Sequence, residues 1–91
     1  EAMKIASAVV SERLAACANV VDGLTSIYHW QGQMQEDTEA ALLLKTRADL
    51  FDRLAARIRE LHSYETPCIV AWPLVAADAD YLAWINTETK F

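Results

Sequence analysis

The sequence predicts an α+β sandwich with the order β-α-β-β-α-β, a long central hairpin and a helix at the C-terminal end. Three observations predict it. Apolar residues at helical spacing open the chain over residues 1–16. Two extended runs follow, Leu24 to Gln31 and Thr38 to Thr46, broken by Gly32 and the polar stretch Gln33 to Asp37. A second amphipathic helix after Thr46 then leads into the apolar run Cys68 to Leu74. Helix, strand, strand, helix, strand is the ferredoxin-like arrangement without its first member. That first strand lies in the middle of the sheet, and a sheet without its middle leaves backbone donors and acceptors unpaired. We therefore expect a strand of about ten residues ahead of residue 1, and one domain over 1–91.

In the first helix Ala2, Ile5, Ala6, Val9, Val10 and Leu14 share one stripe, with Lys4, Ser7, Ser11 and Glu12 elsewhere on the surface. Asn19 to Gly23 reads as a short strand closing in a turn. In the hairpin, alternation puts Leu24, Ser26, Tyr28 and Trp30 on one face and Ile27 and His29 on the other. Thr46-Arg-Ala-Asp49 fits a capping box with Asp in place of Glu, opening a helix whose stripe is Leu50, Phe51, Leu54, Ile58 and Leu61. His62-Ser63 ends it. Thr66-Pro67 forces an extended backbone, Cys68 to Leu74 reads as a strand, and Pro73 sets that strand's end at a sheet margin. Asp78 or Asp80 caps a short last helix carrying Tyr81, Leu82, Trp84 and Ile85.

A hairpin of about 20 residues has arms longer than the usual strand of ~5–6. Part of it projects past its own sheet, and an apolar open edge invites partner chains. Composition agrees. Of 91 residues 54% are hydrophobic, more than one small core hides, and burial between copies is the economical solution. The formal net charge of −5 argues against nucleic acid, which needs clustered Lys and Arg. Arg53, Arg57 and Arg59 lie among Asp49, Asp52 and Glu60, as on a solvated helix face. No run approaches the ~20 apolar residues of a membrane span. Cys17 and Cys68 form no Cys-x-x-Cys pair and sit in apolar stretches; buried free thiols of a reducing compartment are the plainer reading over a disulfide.

Several segments together resemble the CutA divalent-cation tolerance proteins. They are Glu12-Arg-Leu-Ala-Ala-Cys-Ala-Asn19, Ser26-Ile-Tyr-His-Trp-Gln-Gly32, Leu43-Leu-Lys-Thr46, Leu61-His-Ser-Tyr-Glu-Thr-Pro67 and Asp80-Tyr-Leu-Ala-Trp84, in order from about residue 3 to residue 86. The resemblance implies a ferredoxin-like subunit and a tight homotrimer whose hairpins extend neighbouring sheets. It implies a role in tolerance of copper and other divalent metals, with no cofactor required. It also implies likeness to the trimeric PII signalling proteins, which bind small effectors between subunits. The free-thiol reading favours the cytoplasm, although the family has sometimes been called periplasmic.

Three residues are candidate metal ligands. In some family members the position of His62 belongs to a His-His pair that binds copper with a cysteine of the first strand; here Leu61 precedes it, and a helix-terminal histidine bonding the last carbonyls is the plainer reading. Cys17 and Cys68 have the soft thiols that suit Cu(I), against plain apolar packing. His29 beside two aromatics is a surface or interface histidine. A second constellation is Asn19, Trp30, Lys45, Tyr64 and Glu65, whose family counterparts cluster near a cleft between subunits. There Lys45 and Glu65 either hold a small ligand or form a salt bridge that fixes the contact. Tyr28 and Trp30 are trimer-interface anchors by type. The sequence contains no Gly-x-Ser-x-Gly, phosphate loop or His-Glu-x-x-His, so no catalytic residue is named and an enzyme ranks last. The leading expectation is a homotrimeric cation-tolerance protein. A PII-like sensor of a small molecule and a protein-docking scaffold are the alternatives.

Overall fold

The computed structural model describes residues 1–63 and 66–90. Helix α1 covers Ala2–Ser11, β1 Cys17–Trp30, β2 Gln33–Lys45, α2 Phe51–Leu61 and α3 Ala79–Glu88, with a 3-10 turn at Ala48–Leu50 before α2. The helices and the hairpin follow the expected α+β order, but five local expectations change, the strand after α2 among them.

The first helix stops at Ser11, not near residue 16. Arg13 takes φ +62, its N–H donates to Val10 O and the Leu14 N–H donates to Val9 O. That is the Schellman closure of a helix, made without glycine. Its apolar contact is present as well, because Leu14 and Val9 belong to one buried cluster. Leu14 therefore continues the apolar stripe in sequence while lying beyond the helix.

Asn19 to Gly23 is not a separate strand with a turn. It is the first part of a continuous β1, and the register slips between Val21 and Leu24. Asp22 and Gly23 there oppose one residue of β2, a β-bulge that Gly23 accommodates at φ +77. The reversal comes later, at Gln31 (φ +51) and Gly32 (φ +80). A two-residue loop with both φ values positive matches the right-handed twist of its strands. So Gln33 to Asp37 is strand, not a break. Its polarity reflects solvent around the projecting tip.

Thr46 is no helix cap. Its hydroxyl donates to Leu14 O at 2.7 Å, fastening the end of β2 to the turn after α1. No side chain caps the 3-10 turn or α2, and Asp49 instead pairs with Arg47 at 3.3 Å. The capping residue types were present, but the turn geometry intervened.

Cys68 to Leu74 forms no strand and pairs with none among the described residues. A ladder needs an edge about 4.8 Å away, and none of the described residues provides one there. Ile69 still packs on the core, whereas Trp72 is 83% exposed.

The core lies between the helices and one face of the β1–β2 hairpin. Ile5, Val9, Leu14, Ala15, Leu54 and Ile58 form it, with Leu42, Leu44 and Leu61 packed against it. Arg57 closes the outside, its guanidinium bonding Glu12 at 2.9 Å and Glu60 at 2.8 Å. These carboxylates hold the Arg57 pKa above its usual value, Glu12 contributing most. Helix α3 rests on buried Ile85 and Thr89 and on an Arg13–Glu88 ion pair of 3.0 Å.

Asp78, not Asp80, caps α3. Its carboxylate accepts from Asp80 N at 3.1 Å and Tyr81 N at 3.2 Å. Asp78→Ala should lower stability by about 1 kcal/mol, and Asp78→Asn should restore most of it. Chemical unfolding of the three proteins measures this; equal midpoints for Ala and Asn would contradict the cap.

Candidate functional site

The candidate site is the face of the hairpin turned away from the helices. Strand β2 runs unbroken, so its odd residues 33–45 share one face. Leu42 and Leu44 meet the core, which places Leu43 and Lys45 on the other side. The register then assigns Cys17, Asn19 and Val21 to this open face, and beyond the bulge Leu24, Ser26, Tyr28 and Trp30. The bulge matters here. One extra residue in β1 keeps Tyr28 and Trp30 on the same face as Asn19; without it, they would point the other way.

Polar contacts across the strands confirm this facing. Ser26 Oγ donates to Glu39 Oε2 at 2.8 Å, and the Tyr28 hydroxyl donates to Asp37 Oδ2. The sequence singles out neither carboxylate as a site residue. The signal was the register, because each is the diagonal neighbour of its donor. The apolar side chains between them remain bare to solvent: Trp30 is 46% exposed, Leu43 45% and Val21 41%.

At the root of the hairpin, residues from two separate sequence constellations meet. Cys17 and Lys45 are direct cross-strand partners. Lys45 Nζ donates to Asn19 Oδ1, and the Cys17 thiol donates to the same oxygen at 3.7 Å. The amide oxygen thus collects an ammonium and a thiol. Tyr64 and Glu65, expected beside Lys45, lie outside the described residues. Trp30 stands at the opposite end of the strand, about 40 Å away at ~3.3 Å per residue, so one chain does not join it to Asn19 and Lys45.

The three candidate metal ligands are not gathered. Among the described residues no three His, Cys, Asp or Glu side chains come together where one ion could sit. Cys68 is exposed rather than buried because its segment has no strand beside it, and Cys17 is half-buried. His62 is the C-cap of α2, its backbone N–H bonding Ile58 O at 2.8 Å. Nearby, Ser63 N–H donates to Glu1 Oε1 at 3.0 Å. Hydrogen bonding from Ser63 holds the Glu1 carboxyl below the usual carboxylate range, with a smaller contribution from His62. The described residues of one chain do not by themselves make a chelating site for a divalent cation.

Two hollows flank the core, and neither gathers the candidates. One of about 470 Å³ is a shallow groove between α1 and the edge of β1, touching Met3, Ser7, Val10 and Asn19. The other, about 450 Å³, lies between α1 and Leu61 at the end of α2. No helix is long and apolar enough to cross a membrane among the described residues.

Comparison with known proteins gives a consistent result. The family model described as CutA1 divalent ion tolerance protein matches residues 1–88. The divalent-cation tolerance protein CutA of Thermus thermophilus is 50% identical over 88 residues, covering 97% of this chain and 85% of the relative. Its solved structure superimposes with a TM-score of 0.94 over 98% of this chain and 86% of that one, at 49% identity. Protein CutA 1, chloroplastic, of rice is 38% identical over 96% of this chain, which spans only 49% of that relative's length. A structure described as the periplasmic divalent cation tolerance protein CutA of Archaeoglobus fulgidus gives 0.95 at 34% identity, covering 98% and 86%. These likenesses accord with the ferredoxin-like α+β class expected from the element order.

Proposed function

This chain belongs to the CutA1 divalent ion tolerance family, and from that membership we propose that it acts in divalent-cation tolerance as a homotrimer binding copper or another divalent metal. The observation that carries the trimer is the open hairpin face, with Val21, Leu24, Tyr28, Trp30 and Leu43 along a sheet that buries only its other side. A second and third copy laid against that face remove its apolar surface from water, at ~25 cal/mol per Å². Because one chain gathers no three metal-binding side chains among its described residues, ligation draws on more than one subunit or on few ligands, and binding is weak. The free thiols favour the cytoplasm, a compartment in which cysteines stay reduced. The family's likeness to tolerance proteins, together with the lack of a nucleophile constellation in the sequence, favours a binding role over an enzyme.

Titration calorimetry of the oligomer with copper and zinc is the test. Binding tighter than millimolar, weakened in His62→Ala, is the expected result. Heats at the dilution level for both metals, with His62→Ala indistinguishable, would remove the metal-binding part of the reading.

A second reading has its own observation, the meeting of Lys45 and Asn19 at the hairpin root. It is a PII-like sensor taking a small ligand in a cleft between subunits. A thermal-shift screen addresses it, since a ligand at 100 times its Kd adds ~2.7 kcal/mol.

A further inference from the structure

We propose that Cys17 and Lys45 are a modification site at which peroxide joins the two strands through a sulfur–nitrogen bond. The proposal is independent of the cation-binding reading. Its basis is a juxtaposition of two nucleophiles. Cys17 and Lys45 are direct cross-strand partners on one face, and their thiol and ammonium share one acceptor, Asn19 Oδ1. Directly opposed residues have Cβ atoms about 4.5–5.5 Å apart, and the flexible lysine stem spans that gap. In the single chain Cys17 is free and only half-buried and Asn19 beside it is exposed, and this root lies at the opposite end of the strand from the Tyr28–Trp30 contact proposed between copies, so a molecule as small as peroxide reaches the sulfur.

The chemistry closes in two steps. The Cys17 thiolate attacks one peroxide oxygen; the S–O bond forms, the O–O bond breaks, and the departing hydroxide takes a proton to become water. Sulfur is oxidised by two electrons and peroxide is reduced, giving a sulfenic acid. The Lys45 amine, having released a proton to solvent, then attacks that sulfur. The N–S bond forms, the S–O bond breaks, and hydroxide leaves with the second amine proton as water. This step involves no net oxidation. The product is a sulfenamide lacking two hydrogens relative to the reduced chain, and a thiol reverses it by attacking sulfur and releasing the amine. The same condensation with a nitrogen in place of a second thiol is known chemistry for sulfenic acids. Asn19 positions both partners and touches neither new bond.

The test uses the full chain in a Cys68→Ser background, which removes the competing disulfide. The protein is treated with hydrogen peroxide in mildly alkaline buffer and measured by intact mass. Digestion after glutamate separates Cys17 from Lys45, since Glu36 and Glu39 lie between them. The expected result is a species two hydrogens lighter, whose two peptides stay joined through Cys17 and Lys45 until dithiothreitol is added. Lys45→Arg, which keeps the charge without a reactive amine, should abolish the link, and so should alkylation of Cys17 with N-ethylmaleimide beforehand. The alkylation arm holds even where the variant fails to fold. Cys17 carrying two or three oxygens with no joined peptides, a joined pair that retains an oxygen, or an unreacted Cys17 would each overturn the proposal.

Discussion

Leu54→Ala is expected to lower the unfolding free energy by about 2–5 kcal/mol. Leu54 is 5% exposed and belongs to the cluster in which α1 and α2 meet the hairpin. Its removal leaves a cavity that the neighbours fill poorly, because they are fixed from several directions. Val9 and Leu14 are set by the Schellman closure, and Arg57 bridges α2 to Glu12. For a small domain with total stability of ~5–15 kcal/mol the loss is severe. Urea unfolding at one fixed protein concentration measures it, with unchanged slope and a lower midpoint. Ala56→Ser, on the exposed side of α2, serves as the control and should stay within ~0.5 kcal/mol. A loss for Leu54→Ala no larger than that of the control would mean the core is not where the structure puts it.

Trp30→Asp is expected to turn the proposed trimer into aggregates or unfolded chain rather than soluble monomer. Trp30 lies near the hairpin tip on the open face, with Tyr28 two residues before it. An unpaired carboxylate in an apolar contact costs several kcal/mol. A separated chain would then expose Val21, Leu24, Tyr28 and Leu43 together, a continuous apolar ribbon of the kind that promotes aggregation. Light scattering should give three times the chain mass for the parent protein and heterogeneous large species for the variant. Tyr28→Asp should behave likewise, with the added loss of the hydroxyl donation to Asp37. A stable, monodisperse monomer from either variant, melting like the parent, would refute the role given to this face.

Much of the fold was legible from patterning. Helical spacing located the apolar faces of α1 and α2, since burying one stripe is a local requirement. The aromatic alternation correctly grouped Leu24, Ser26, Tyr28 and Trp30. Boundaries were less legible where a residue had two possible uses. Leu14 satisfies a helical stripe and also a Schellman contact, and Arg13 in a left-handed conformation gives no glycine to mark the end. Gly23 fits a turn or a bulge, and only the register with β2 distinguishes them. Thr46 has the chemistry of a cap, but Leu14 O lies within reach of its hydroxyl. At the site, Asn19 and Lys45, grouped through the family resemblance, bond to each other, and Cys17, named among the candidate metal ligands, shares their contact. Its cross-strand partner Lys45 is 28 positions away in sequence and directly opposite in the ladder.

The amino-acid sequence alone determined which surfaces must be hidden: the stripes of two helices, one face of the hairpin, and a projecting ribbon too apolar for water. It also determined the family, because several motifs recur in order. Only the tertiary structure decided which chemistry meets. Pairing between strands depends on register, and register is set by the number of residues in a bulge and a turn rather than by the kind of residue. A single extra residue at the Asp22–Gly23 bulge places Cys17, Asn19 and Lys45 on the same open face as Tyr28 and Trp30, while His62 remains at a helix end. That count is a global constraint, satisfied only when both strands, the turn and the core are in place together.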